Sequence, residues 1–175
     1  MSLDFTASVR RAQAGDAGAF AELYSLVYKD LYRIALLNLN NQHDASDVVS
    51  DTVLEAYSSI KNLRDPKAFK VWITKILTVK IKNKRKEYSQ MNNLREDIDE
   101  LNESDSDKVK KEISFENLEL MESFGKLSEE ERLMLSLSVV SGYSSEEIAG
   151  MYGTKANTVR SKVARAKAKL KELLS

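Results

Sequence analysis

Residues 127–170 read LSEEERLMLSLSVVSGYSSEEIAGMYGTKANTVRSKVARAKAKL, and their punctuation decides the fold. Ser128 followed three residues later by Glu131 is a capping box, and the apolar-rich helix it opens stops at Gly142. Ser144 with Glu147 repeats the device and opens a short helix that stops at Gly153. Thr154 is placed to cap a last helix whose inward stripe is Val159, Val163, Ala166, Leu170 and Leu173. A short helix, a turn of about three residues containing Gly, and a longer helix make the helix-turn-helix plan. Ala149 is small where the two helices must cross, Gly153 supplies the turn, and Val159 plugs the second helix into the core.

The face of the last helix opposite Val159 and Val163 carries Asn157, Ser161, Ala164, Arg165 and Ala168, with Thr158 and Arg160 on its flanks. Small residues there permit close approach to a groove floor, and Arg and Asn hydrogen-bond base edges. Recognition helices read with their N-terminal half. The candidates for base contact are therefore Asn157, Arg160, Ser161 and Arg165, with Lys155, Thr158, Lys162 and Lys167 directed mainly at phosphates. A basic run is ordinarily just a solvated face. Here it coincides with capped helices, the Ala/Gly/Val pattern and no compensating Glu at i,i+4 within the helix.

Outward from this segment the composition stays helical. Gly is scarce (6), Pro occurs once, and Leu, Ala, Lys and Glu abound, which predicts an all-α chain. There is no Cys and one His, so disulfides, thiolate chemistry and metal sites are not expected, nor is any cofactor. No apolar run approaches the roughly 18 residues of a membrane span, and the N-terminus has no secretory pattern, so a cytoplasmic protein without membrane insertion is expected. No nucleophile-base pair, phosphate-binding glycine loop or metal cluster is apparent, and no catalytic residue is assigned.

Upstream, periodicity predicts an opening helix from about Leu3 to Ala14 and a long one from Ala17 to Leu39, with Phe20, Leu23, Val27, Leu31 and Ile34 inward. Asp44 is placed to cap a third helix whose stripe is Val49, Val53, Ala56, Tyr57 and Ile60. After the loop Lys61–Arg64, Asp65-Pro66 opens a fourth helix lined by Phe69, Trp72, Ile73, Ile76 and Leu77. From about Tyr88 to Lys111 periodicity fades, and a flexible linker is expected there.

Formal net charge is zero, but it is segregated. Residues 67–86 hold eight bases and no acid, residues 155–171 hold seven bases and no acid, and residues 96–107 hold seven acids and no base. Two separated basic helices point to two contacts on one polyanion. In the third helix Asp44, Asp47, Asp51 and Glu55 share the face opposite the apolar stripe. Such a row of like charges is either a solvated face or an anionic docking surface for a basic protein. In the fourth helix Lys75, Thr78, Lys82 and Arg85 share a face turned from the core, and Trp72 lies at its edge. That Trp is either a packing residue or a platform for an unpaired base. Lys80 falls on the apolar side and is expected to snorkel.

The order of parts, DASDVVSDTVLEAYSSI, then FKVWITKILTVKIKNKRKE, an acidic linker and the helix-turn-helix segment, resembles regions two and four of the extracytoplasmic-function sigma factors of bacterial RNA polymerase. The resemblance implies two small helical domains, residues 1–90 and 113–175, joined by a linker over 91–112 that lies in the polymerase RNA exit path. It implies a non-enzymatic protein that takes core polymerase, promoter DNA and an anti-sigma factor as partners. Asp44, Asp47, Val48, Asp51, Leu54 and Glu55 would dock on the β′ clamp helices, and the β flap would receive the other domain. Leu63, Arg64, Lys67, Trp72, Lys75, Thr78, Lys82 and Arg85 would read and open the −10 element. Lys155, Asn157, Thr158, Arg160, Ser161, Lys162 and Arg165 would read the −35 element. Where relatives commonly carry Ile-Ala-Arg-Asn, this chain has Ile76-Leu77-Thr78-Val79, which shifts weight onto the Leu63–Lys67 loop, Lys75 and Lys82. Two other classes fit parts of the pattern: a stand-alone helix-turn-helix regulator, and a protein-interaction adaptor.

Overall fold

A computed structural model describes residues 4–95 and 115–175, and its regular structure is helical throughout those residues. Helix α1 (Thr6–Gln13) leads to α2 (Ala17–Leu39) and α3 (Gln42–Ser59). Two 3-10 turns, Ile60–Asn62 and Pro66–Ala68, precede α4 (Phe69–Arg95). The C-terminal half comprises α5 (Phe115–Gly125), α6 (Glu129–Ser141), α7 (Ser145–Tyr152) and α8 (Ala156–Leu174).

Most boundaries follow from the local chemistry. Asp16 caps α2 by accepting from the Ala19 N–H at 3.1 Å. That helix ends where Asn40 turns left-handed (φ 49°), a conformation Asn tolerates better than other side-chain-bearing residues. Asn41, not Asp44, then caps α3, accepting from the Asp44 N–H at 2.9 Å. Two residues, Asn40 and Asn41, were enough to restart the helix, so Asp44 falls inside the first turn and its carboxylate is free to reach sideways. Asp65 accepts from the Lys67 N–H at 3.0 Å and opens the proline turn ahead of α4. Ser144 and Glu147 form the reciprocal capping box on α7, whose end at Gly153 has φ 64°. The cap of α8 is Lys155 rather than Thr154, and it makes no side-chain capping bond.

Helix α4 continues through residues 88–95, where a linker was expected; Tyr88 donates its hydroxyl to Asp44, and Lys84 lies 3.7 Å from the same carboxylate. These tertiary contacts hold helix where hydrophobic period alone is weak. The expected linker from residue 96 to 112, with its acidic run, lies outside the described residues. Helix α5 was not anticipated; it packs on α8 and α2, burying Met121 and Phe124.

The N-terminal bundle packs α2 against α1, α3 and α4, with Phe20, Leu23, Val27, Leu31, Ile34, Val49, Ala56, Phe69, Ile73 and Leu77 buried. Each such side chain contributes roughly 1.5–3 kcal/mol of hydrophobic stabilisation. Tyr57 departs from its expected inward place: it is half exposed and meets Phe20 edge-on. Leu173 is likewise exposed, so the stripe of α8 closes with Val159, Val163 and Ala166 buried and Leu170 partly so.

In α6 every residue from Arg132 to Leu137 is buried, because α8 covers one side and α2 the other. The two halves therefore share one continuous core. Arg132 is the polar centre of that junction. Its guanidinium donates to the carbonyls of Phe124, Gly125 and Leu127, at 2.8–3.2 Å, and to Asn38 at 3.1 Å. It thus satisfies orphan carbonyls at the C-terminal ends of α5 and α2 with one cation. Burial lowers its pKa, Arg85 adds to the shift, and Glu129 opposes it. Beside it the Asn38 amide donates to Ser136 Oγ at 2.9 Å.

Candidate nucleic-acid and polymerase interfaces

The crossing of α7 and α8 is set by Ala149, which is buried, and by Val159 and Val163, which fix the rotation of α8. That rotation leaves Asn157, Arg160, Ser161 and Arg165 exposed on one side, with Lys155 at the N-terminal edge. Thr158 and Lys162 are partly covered. The seven bases of this segment are not free of acids in space. Arg160 is held by Glu146 and by the side-chain amide oxygen of Asn157, Lys162 by Glu130, and Lys169 by Glu131 at 3.0 Å. Hydrogen bonding from Ser128 holds the Glu131 carboxyl below the usual range against partial burial, and Lys169 adds to it.

On α3, Asp47, Asp51, Leu54 and Glu55 stand on an exposed face, with Leu54 68% exposed. Asp47 meets His43 at 3.4 Å, and Glu55 meets Lys80 at 3.6 Å, so Lys80 leans toward an acid rather than merely reaching solvent. Two residues assigned to this surface are not on it. Val48 is 4% exposed and belongs to the core, because it falls beside Val49 on the wide buried stripe. Asp44 is largely covered by Tyr88 and Lys84. Burial works against the Lys84 ammonium, but Glu87, Asp44 and Asp47 outweigh it and raise its pKa.

Around α4 the assigned residues divide into three groups. Arg64, Lys67 and Lys75 are exposed, and Trp72 is partly buried against Phe69 at a ring separation of 6.1 Å. Leu63 is buried; the Gln13 amide donates to the carbonyls of Ile60 and Leu63, both at 2.9 Å, and pins the loop inward. Thr78 is also buried, against the expectation of an outward face, and its hydroxyl donates to the Lys75 carbonyl at 2.7 Å. Lys82 lies over the Tyr152 ring at 4.1 Å, and Arg85 lies 3.4 Å from Glu129.

The residues that bring these elements together were not singled out from sequence. The Tyr143 hydroxyl lies 2.8 Å from Thr74 Oγ1 and 3.1 Å from the Lys70 carbonyl, and Lys70 Nζ sits 5.5 Å over its ring. Burial pushes the Tyr143 phenol up to about 12. Tyr143 occupies an ordinary turn position after Gly142, so nothing local marks it. Arg132 left little local signal either: of its neighbours at i±3 and i±4, Ser128, Glu129, Leu135 and Ser136, only Leu135 is apolar. Among the described residues no group of three or more His, Cys, Asp or Glu is placed to hold a metal, and no helix is long and apolar enough to cross a membrane.

Comparison with known proteins gives these two halves a common meaning. Residues 22–89 match Sigma-70 region 2, and residues 117–170 match Sigma-70 region 4. The chain is 31% identical over 175 aligned residues to the ECF RNA polymerase sigma-E factor of Salmonella typhimurium, covering 91% of this chain and 88% of that protein. Its fold is that of CnrH in complex with the cytosolic domain of CnrY (TM-score 0.71, 23% identity, 98% and 96% of the two chains). It is also that of the sigma factor RpoE in complex with the anti-sigma factor NepR from Bartonella quintana (TM-score 0.64, 23% identity, 89% and 96%). A stand-alone helix-turn-helix regulator leaves the region 2 match without an explanation. With both regions present in order, the chain belongs to the extracytoplasmic-function family of RNA polymerase sigma factors.

Proposed function

We propose that this sigma factor directs core RNA polymerase to its promoters through a division of labour between residues 1–90 and 113–175, and that it catalyses nothing itself. The first unit docks on polymerase through Asp47, Asp51, Leu54 and Glu55 and handles the −10 element with Arg64, Lys67, Trp72, Lys75, Lys82 and Arg85. The second reads the −35 element with Lys155, Asn157, Thr158, Arg160, Ser161, Lys162 and Arg165. Strand opening needs no catalytic group, because capture of bases outside the stack stabilises the melted state. Linking two weak readers on one polymerase makes the pair effective where each alone is not.

The observation that carries this reading is the exposed row Asn157, Arg160, Ser161 and Arg165 on the second helix of a helix-turn-helix whose first helix opens on a reciprocal capping box. A bacterial cytoplasm is the compartment such a function requires. An anti-sigma protein is a further proposed partner, in line with the RpoE relative crystallised with NepR.

Reconstituted run-off transcription tests the reading. Core polymerase with this chain is expected to initiate from a subset of a bacterial genomic promoter pool, and the same polymerase alone is not. Absence of initiation from every promoter in the pool would overturn it.

A further inference from the structure

A cavity of about 280 Å3 is lined by Ile81, Lys82 and Arg85 of α4, Arg132 and Leu133 of α6, and Tyr152 of α7. That volume is near the lower end of the roughly 300–1,000 Å3 of small-molecule sites. Ile81, Arg132 and Leu133 are buried and make its floor, whereas Lys82 and two further lining residues, Glu129 and Glu130, are exposed and stand at its rim.

Two polar atoms on the lining side chains are left over. The Tyr152 hydroxyl and Arg85 Nε are buried, and neither makes a hydrogen bond among the described residues. Glu129 stands 3.4 Å from Arg85 Nε as a charge partner without hydrogen-bonding it. Buried polar atoms are nearly always paired, because an unpaired one forfeits its hydration for nothing. Both left-over groups are donors. Burial, with Glu130 nearby, raises the Tyr152 pKa, so the phenol keeps the proton it has to offer.

Electrostatics narrows what the donors would receive. Lys82, Arg85 and Arg132 set three cations on the lining against the carboxylates of Glu129 and Glu130, and Glu130 is already engaged by Lys162. Lys82 has no carboxylate partner among the described residues; its ammonium lies 4.1 Å over the Tyr152 ring. Arg85 is close enough to Arg132 to add to the lowering of its pKa that burial begins. The lining thus carries a surplus positive charge above an apolar floor. A bare inorganic ion would give up its hydration against Ile81 and Leu133 and gain nothing there. We propose that this cavity is a binding site for a small organic monoanion: a carboxylate that accepts from the Tyr152 hydroxyl and Arg85 Nε, carried on a flat apolar body resting on Ile81 and Leu133. The site does not depend on the promoter reading above.

Calorimetric titration of the full chain with 2-naphthoate, a two-ring carboxylate, tests the site. Saturable binding at a single site is expected, with a dissociation constant of about 1 mM or below, the affinity typical for a molecule of that size. The uncharged 2-naphthamide and inorganic phosphate are each expected to bind at least about tenfold more weakly, since one lacks the charge and the other the apolar body. Tyr152→Phe keeps the ring and removes only the hydroxyl, and it is expected to weaken 2-naphthoate about fivefold or more. Arg85→Lys keeps the charge and removes Nε, and the same loss is expected of it; it carries the test if circular dichroism shows that Tyr152→Phe does not fold. Tyr28→Phe, on the far side of α2, is expected to bind as the unmodified chain does. No saturable binding of 2-naphthoate would mean a cavity that holds water only, and the proposal would fall. It would fall equally if the amide or phosphate bound as tightly as the carboxylate, or if the folded Tyr152 and Arg85 variants bound 2-naphthoate unchanged.

Discussion

Arg160 is exposed, yet Asn157 and Glu146 already engage its guanidinium, so contacting a base means exchanging two protein partners for one base edge. Arg160→Ala is expected to cost about 1–3 kcal/mol at one upstream promoter position and little elsewhere. Competition binding of polymerase holoenzyme to a panel of single-substituted −35 duplexes checks this; equal weakening on all of them makes Arg160 a phosphate contact. Tyr143 gives a second expectation, in pH. Its phenol is held up at about 12 against about 10 in an unfolded chain, so the folded form keeps the proton longer. The stability linked to it is intact below pH 10 and is lost as pH rises from 10 toward 12. Tyr143→Phe is expected to flatten the fall in urea midpoint between pH 9 and pH 11. Tyr88 and Tyr152, whose pKa values are also raised by burial, leave a residual slope.

At the scale of elements, α3 presents Asp47, Asp51, Leu54 and Glu55 as a surface, while Val48 and Thr52 fasten its other side. Asp47→Lys with Asp51→Lys is expected to abolish association with core polymerase in a pull-down while leaving the circular dichroism of the helices unchanged. Unchanged association would return this face to ordinary solvent. Most of the helices and the exposed side of α8 were legible in the sequence, because caps and a 3.6-residue period are local signals and Val159 fixes rotation. The face of α4 was read less well. Thr78 and Leu63 look polar-adjacent or loop-like in one dimension, and only a second helix or the Gln13 amide makes them interior. The continuation of α4 past Tyr88 was missed for the same reason: its support, Asp44, stands 44 residues away.

At the scale of the whole molecule, the shared core predicts coupled unfolding. Trp72 is the only tryptophan and reports on the N-terminal half, whereas Arg132 belongs to α6. Arg132→Met leaves several helix-end carbonyls without donors, at a cost of roughly 3 kcal/mol or more. It is expected to lower the urea midpoint seen by Trp72 fluorescence as much as that seen by circular dichroism; a Trp72 midpoint that stays put would mean independent halves. None of this joining was legible beforehand, since Asn38, Ser136, Thr74 and Tyr143 carry no mark of their distant partners. The carboxylates set against α8 have one further effect. Glu146, Glu130 and Glu131 serve Arg160, Lys162 and Lys169 as built-in counterions. A cation that leaves an internal carboxylate for a phosphate displaces sodium from the DNA, but the carboxylate left behind takes a cation up, so affinity falls with ionic strength less steeply than the roughly 0.9 power per phosphate neutralised. Random duplex, which offers charge and little else, loses most by that arrangement, and the cognate promoter gains standing against the rest of the genome.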